Sequence, residues 1–220
     1  MLIGRTRIKI CGMTNRDDAL AAAALGADAV GFVFAPSPRR IEPREARAIV
    51  AGLPPFVTPV AVFVDAPLDA ITEAMEISGC RVAQLHGSEP PALIEHLRWP
   101  AVKALRVRAA KDLDAISDYA GAAAILLDAY VEGKQGGAGE TFEWGLAAEA
   151  QRFKRPIILA GGLDADNVAA AIARVRPFAV DVSSGVEARP GEKDHDRMAR
   201  FVEAVRGTDH EIPRPRRGSE

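Results

Sequence analysis

Short apolar runs of about four to six residues recur along the chain, each followed by a longer stretch whose apolar positions return every three or four residues. The short runs are β-branched or apolar almost throughout, as expected for parallel strands covered on both faces. They predict strands over 7–11, 29–34, 59–64, 82–85, 102–105, 124–128, 156–160 and 179–182. The longer stretches predict helices over 15–25, 43–52, 68–78, 90–97, 111–119, 144–153, 165–175 and 193–206, several with a start signal such as Asp164 or a first-turn proline. Pro59, Pro156 and Pro177 stand at or just before strand entrances, where a missing N–H costs little. Eight βα units in about 205 residues, with no linker-like break, suit a single α/β domain closed as a (β/α)8 TIM barrel. A doubly wound open sheet is the main alternative, but Cys11-Gly12-Met13-Thr14 is no dinucleotide fingerprint. Function in a barrel gathers on the loops after the strands' carboxyl ends, so the residues closing each strand come next.

Composition narrows the class. With 220 residues, 48% hydrophobic and 26% charged, the chain is that of a globular protein able to bury about 70% of its unfolded surface. A formal charge of −2 gives no electrostatic case for nucleic acid. No apolar run reaches the roughly 18 residues needed to cross a bilayer, and Arg5, Arg7 and Lys9 interrupt any secretory h-region, so no membrane partner is expected. Cys11 and Cys80 sit in unlike contexts and make no disulfide framework, which suits a cytoplasmic protein. Residues 207–220 are polar, contain Pro213 and Pro215, and read as a disordered tail after a barrel over 1–206. No Cys/His/Asp cluster has metal spacing.

Cys11 closes the first strand, and Thr14 is expected to cap the helix that follows, with Asp17 three residues on. A thiol facing a helix amino terminus titrates below its ordinary value of roughly 8.5 and can exchange a proton near neutrality. The bland alternative is a small buried hydrophobe. Strand 6 closes with Ile125-Leu126-Leu127-Asp128, and an acid after three apolar residues lies at the mouth. It either caps a neighbouring loop or serves as a general acid, since partial burial favours the neutral carboxyl. Two such groups on strands 1 and 6 can give a proton to one side of a substrate and take one from another, which suits isomerisation.

Gly161 and Gly162 follow strand 7, and Ser183, Ser184 and Gly185 follow strand 8. Those two turns are the recurrent phosphate site of the barrel fold, built from backbone N–H groups. Arg39 and Arg40 lie after strand 2, in a loop stiffened by Pro36 and Pro38; one of them can grip a carboxylate through two parallel hydrogen bonds, the other being surface charge. Gln84 and His86 close strand 4 and either line the pocket or satisfy a loop carbonyl. Asp181, inside strand 8, is expected to point into the barrel and orient loop amides or substrate hydroxyls. The Gly-rich segment 133–141 either closes over the site or is a loose connection. Cys80 and Trp99 read as packing, and Trp144 as packing or, from its place in the Gly-rich motif, part of a lid.

Taken together, Lys9-Ile10-Cys11-Gly12-Met13-Thr14, Gly31-Phe32-Val33-Phe34, Gln84-Leu85-His86-Gly87, Leu126-Leu127-Asp128, Gly136-Gly137-Ala138-Gly139 through Trp144, Leu159-Ala160-Gly161-Gly162-Leu163 and Asp181 through Glu187 closely resemble the phosphoribosylanthranilate isomerase family over roughly residues 7 to 206. The resemblance implies an Amadori rearrangement in tryptophan biosynthesis, with no cofactor, on a small phosphorylated substrate, by a monomer or homodimer. It implies Cys11 as general base, Asp128 as general acid and Arg39 as the carboxylate-binding arginine, although the loop is one residue shorter than the common form and Arg40 is adjacent. A histidine-pathway sugar-phosphate isomerase would carry an Asp where Cys11 stands, and indole-glycerol phosphate synthase would need a catalytic Lys and Glu set. An inert phosphate-binding barrel would not require Cys11 and Asp128 together.

Overall fold

The inward and outward alternation of β1 (Arg7–Cys11) sets the pattern for the whole molecule. Ile8 and Ile10 turn outward into the apolar layer under the helices, while Lys9 and Cys11 turn into the barrel. The computed structural model describes residues 5–128 and 140–208, the side chains of 140–143 excepted. After β1 come α1 (Arg16–Leu25), β2 (Ala29–Val33), α2 (Pro43–Val50), β3 (Thr58–Phe63), α3 (Leu68–Ser78), β4 (Val82–Leu85), α4 (Pro91–Glu95) and β5 (Ala101–Arg106). A 3-10 stretch, Ala110–Ser117, leads to β6 (Ala124–Asp128), α5 (Glu140–Glu149), β7 (Ile157–Ala160), α6 (Val168–Val175) and β8 (Ala179–Val182). A small hairpin, β9 (Glu187–Arg189) with β10 (Glu192–Lys193), precedes α7 (His195–Thr208).

Strands β1 to β8 pair in sequence order, all parallel, and β8 closes on β1. The fold is therefore a (β/α)8 barrel. Ile125, Leu127, Ile157, Leu159 and Val180 face the helices, whereas Val102, Ala104, Ala124, Leu126, Ile158, Ala160 and Ala179 fill the lumen. That lumen is apolar on the β5 to β7 side. Across it, β1, β4 and β8 bring in Lys9, Gln84 and Asp181, 5%, 1% and 8% exposed.

Several local expectations change. Asn15, not Thr14, caps α1: its side-chain oxygen accepts from the Asp18 N–H at 2.8 Å, while the Thr14 hydroxyl donates to the Gly191 carbonyl. Asp164 holds a turn through the Asp166 and Asn167 N–H groups, and the α-helix proper starts only at Val168. The segment between β5 and β6 winds as a 3-10 stretch, and the hairpin before α7 is an addition that strand spacing does not announce. Helix α7 runs on to Thr208. Residues 129–139, which include most of the Gly-rich segment 133–141, lie outside the described residues, as do 209–220 of the expected tail. Trp144 is buried in the helix-facing core, and among the described residues no helix is long and apolar enough to cross a membrane.

Candidate active site

Because all eight strands run parallel, Cys11 and Asp128 end their strands at the same rim of the barrel. Cys11 is 8% exposed, and Gly31 opposite it in register makes room for the sulfur: a Cβ there would stand 2.6 Å from Sγ. Burial raises the thiol pKa above the ordinary range, and Asp181 adds to the rise. Lys9 and Lys193 oppose it without overcoming it. The expectation of a thiol lowered by the α1 terminus is thus reversed, since loss of solvent outweighs every nearby cation.

Beneath Cys11, Lys9 Nζ donates to Asp181 Oδ2 at 2.8 Å, in a pair whose side chains are 6% and 7% exposed. Burial works against the Lys9 ammonium, yet Asp181 and then Cys11 outweigh it and raise the pKa. Asp181 lies inside the barrel, where the buried Oδ1 has no hydrogen-bond partner among the described residues. On the other side of Cys11, Lys193 Nζ donates to the Cys11 carbonyl at 2.6 Å, to the Ser183 carbonyl at 3.2 Å and to Glu187 Oε1 at 3.0 Å. Glu187 also takes Arg39 through Nε at 2.7 Å and Nη2 at 2.6 Å. Burial alone would lift the Glu187 pKa, but Arg39 and Lys193 hold it below the usual range.

The loop after β2 aims Arg39. Ser37 accepts the Arg39 N–H through its hydroxyl and the Arg40 N–H through its carbonyl, and Arg40 bridges back onto Val33. Arg39 lies against Gly12, where a Cβ would approach its Cδ to 2.6 Å, and Gly12 itself has φ 84°. Arg40 turns the other way, into an exposed pair with Glu42. It does not join the mouth cluster.

The β4 and β6 side is different. Gln84 Nε2 lies 2.9 Å from His86 Nδ1, and His86 Nε2 lies 3.3 Å from Asp128 Oδ2. With the amide donating, His86 carries its proton on Nε2 and donates it toward Asp128. Behind this strand end, Lys103 Nζ donates to the Gly87 carbonyl and to Glu89 Oε2, both at 2.6 Å, and the ion pair is 1% exposed on each side. That buried clasp fixes the turn that begins at His86.

The two phosphate-loop candidates meet. Gly161 and Gly162 take φ 91° and 63°, a left-handed backbone that favours glycine. A Cβ on Gly185 would collide with the Leu163 carbonyl, so the turns after β7 and β8 touch backbone to backbone. Ser183 Oγ donates to the Cys11 carbonyl at 3.2 Å, Ser184 is exposed, and Gly162 borders open space. Cys11, Arg39, Asp181 and Ser183 therefore cluster around β1, β2 and β8, while Gln84, His86 and Asp128 form a second group. From the sequence alone Lys9, Glu187 and Lys193, the last within Pro190-Gly191-Glu192-Lys193-Asp194, carry no signal of a role beyond their place in recognisable motifs. A charged residue inside a short apolar strand, as at Lys9, is the cue that could have drawn attention.

Residues 8–204 match the family described as N-(5'phosphoribosyl)anthranilate (PRA) isomerase. The N-(5'-phosphoribosyl)anthranilate isomerase of Pseudomonas putida strain F1 is 53% identical over 206 residues, which covers 93% of this chain and 99% of the relative. The chain belongs to the phosphoribosylanthranilate isomerase family. A relative from Acidithiobacillus ferrooxidans with the same name is 52% identical over 92% of this chain and 98% of its own length. The crystal structure of the family member from Thermotoga maritima superposes with a TM-score of 0.86 at 45% identity, covering 92% of this chain and 99% of that one. A further family structure, in complex with reduced 1-(o-carboxyphenylamino)-1-deoxyribulose 5-phosphate, gives a TM-score of 0.83 at 43% identity over 92% and 99% of the two chains.

Proposed function

We propose that this chain rearranges N-(5-phosphoribosyl)anthranilate to 1-(2-carboxyphenylamino)-1-deoxyribulose 5-phosphate, with Asp128 as acid and Cys11 as base. The observation that carries the assignment is a thiol at the end of β1 and a carboxyl at the end of β6, on one rim of a closed barrel. Asp128 protonates the furanose ring oxygen, and the ring opens to a protonated Schiff base. The iminium acidifies the C2′ proton, which the Cys11 thiolate removes, and the resulting enolamine tautomerises to the ketone. His86 orients Asp128 through Nε2, and Gln84 fixes the His86 tautomer.

Arg39 takes the anthranilate carboxylate. Glu187 already occupies Nε and Nη2, so Nη1 and the outer edge of the fork remain for substrate. The turns after β7 and β8, with Gly161, Gly162, Ser183, Ser184 and Gly185, cradle the phosphate with backbone N–H groups. Asp181 Oδ1 and Gln84 Oε1, buried acceptors with no hydrogen-bond partner among the described residues, suit sugar hydroxyls. A place in the cytoplasm, beside the other enzymes of tryptophan biosynthesis, follows from this reading.

The test is turnover of freshly generated phosphoribosylanthranilate, followed by loss of its fluorescence. Cys11→Ser and Asp128→Asn should each lose about 100-fold or more in kcat while still binding product. Near-normal kcat in either variant removes that residue from the mechanism. Phosphate-analogue binding without turnover in the unaltered chain would favour an inert barrel.

A further inference from the structure

Lys9 occupies a place where the fold has an apolar alternative. On the β6 and β7 side of the lumen the inward positions are filled by Ala124, Leu126 and Ile158. A buried ion pair is seldom more stabilising than apolar residues of similar volume. Stability is therefore a poor reason for Lys9 and Asp181 to be there. Lys9 lies two residues before Cys11 on β1, on the same inward face, so its long stem rises toward the sulfur.

The charges facing Cys11 can be enumerated. Lys9 comes from its own strand, Asp181 from β8, Lys193 from β10, and Arg39 from the loop after β2, with Glu187 bridging the last two. Among the described residues, three cations stand against two carboxylates, a surplus of one positive charge that a thiolate at Cys11 neutralises. Lys193 cannot serve that anion directly, because its three protons go to the Cys11 carbonyl, the Ser183 carbonyl and Glu187. Arg39 is held by Glu187 on two nitrogens. Among the described residues, Lys9 gives one proton to Asp181 and faces the Cys11 sulfur with the remainder.

We propose that Lys9 is a positioning residue for the reaction: its ammonium, aimed by Asp181, is the counter-ion that stabilises the Cys11 thiolate against burial. This rests on Cys11 being the base. Burial alone disfavours the thiolate, and Lys9 is the cation that opposes burial most. Asp181 has a double effect, keeping Lys9 charged while adding its own negative charge near the sulfur.

The test reads the sulfur directly and does not depend on turnover. The rate of iodoacetamide alkylation at Cys11 is followed against pH on the full chain, resolved from Cys80 by peptide mass spectrometry. Lys9→Met should raise the alkylation midpoint and slow the reaction about tenfold near pH 8, whereas Lys9→Arg, which keeps the charge, should restore most of the rate. A residue that served packing alone would not let retention of charge decide the midpoint. Cys80, whose pKa burial pushes up to about 11, reports folding: it alkylates slowly only while the chain stays folded. If Lys9→Met does not fold, Lys9→Gln, which keeps a polar head and removes the charge, takes its place and should raise the midpoint likewise. A midpoint unmoved or lowered by loss of the Lys9 charge overturns the proposal. Near-normal kcat in Cys11→Ser would instead sink the base assignment and leave the titration result standing.

Discussion

The two halves of the mouth are built on opposite physical terms. Around β1, β8 and the hairpin, charged groups are dense and dry: Lys9, Asp181, Glu187 and Lys193 are all nearly buried and tied by contacts of 3.0 Å or less. Around β4 and β6, His86 and Asp128 keep 23% and 19% of their side chains exposed and meet at 3.3 Å. The contrast suits the two proton transfers proposed for Cys11 and Asp128. A base that must exist as an anion in a dry wall needs fixed counter-charges, whereas an acid that must be reloaded each turnover needs access to solvent and a neighbour that orients it.

Several substitutions break or sharpen that contrast. Glu187→Gln strikes the dry half hardest, leaving Lys193 and Arg39 unneutralised beneath the hairpin. It should cost about 3 kcal/mol of stability, measured as a shift in denaturant midpoint, because an uncompensated buried charge is expensive. The loss should depend on pH with a definite sign. The folded pKa of Glu187 is lowered from 4.5, so its contribution is complete above about that value and fades as pH falls through the lower folded value. The wild type's advantage over the variant should therefore shrink in acid; an advantage that is constant with pH would mean the ionised carboxylate is not its source.

Arg39→Ala should raise KM about tenfold or more through loss of a charge-assisted carboxylate contact. Arg40→Ala should leave KM within about twofold, since its pair with Glu42 is exposed. Equal effects in the two variants would refute Arg39 as the carboxylate ligand. His86→Ala, in the wetter half, should change the denaturant midpoint by less than about 1 kcal/mol and lower kcat about tenfold, with KM little altered. A stability loss as large as that of Glu187→Gln would erase the distinction between the halves.

Much of this was legible before any coordinates. Strands β1, β4, β6 and β8 begin and end where the apolar runs do, because a parallel strand buried on both faces leaves its whole pattern in the sequence. Cys11 and Asp128 stood out because they break that pattern at a strand end. The α1 cap was misplaced by one residue because Thr14 and Asn15 are both able cap residues, and the hairpin claims the Thr14 hydroxyl.

By itself the chain determined the barrel, the order of its units and the polar residues that close the strands, since all follow from local period and composition. Only the tertiary structure decided which charges face each other. Lys9 meets Asp181 and Arg39 meets Glu187 across more than a hundred residues of chain, so no local pattern records them. The protonation of Cys11 belongs to the same class, because it depends on how much water the closed barrel excludes and which distant cations it brings near the sulfur.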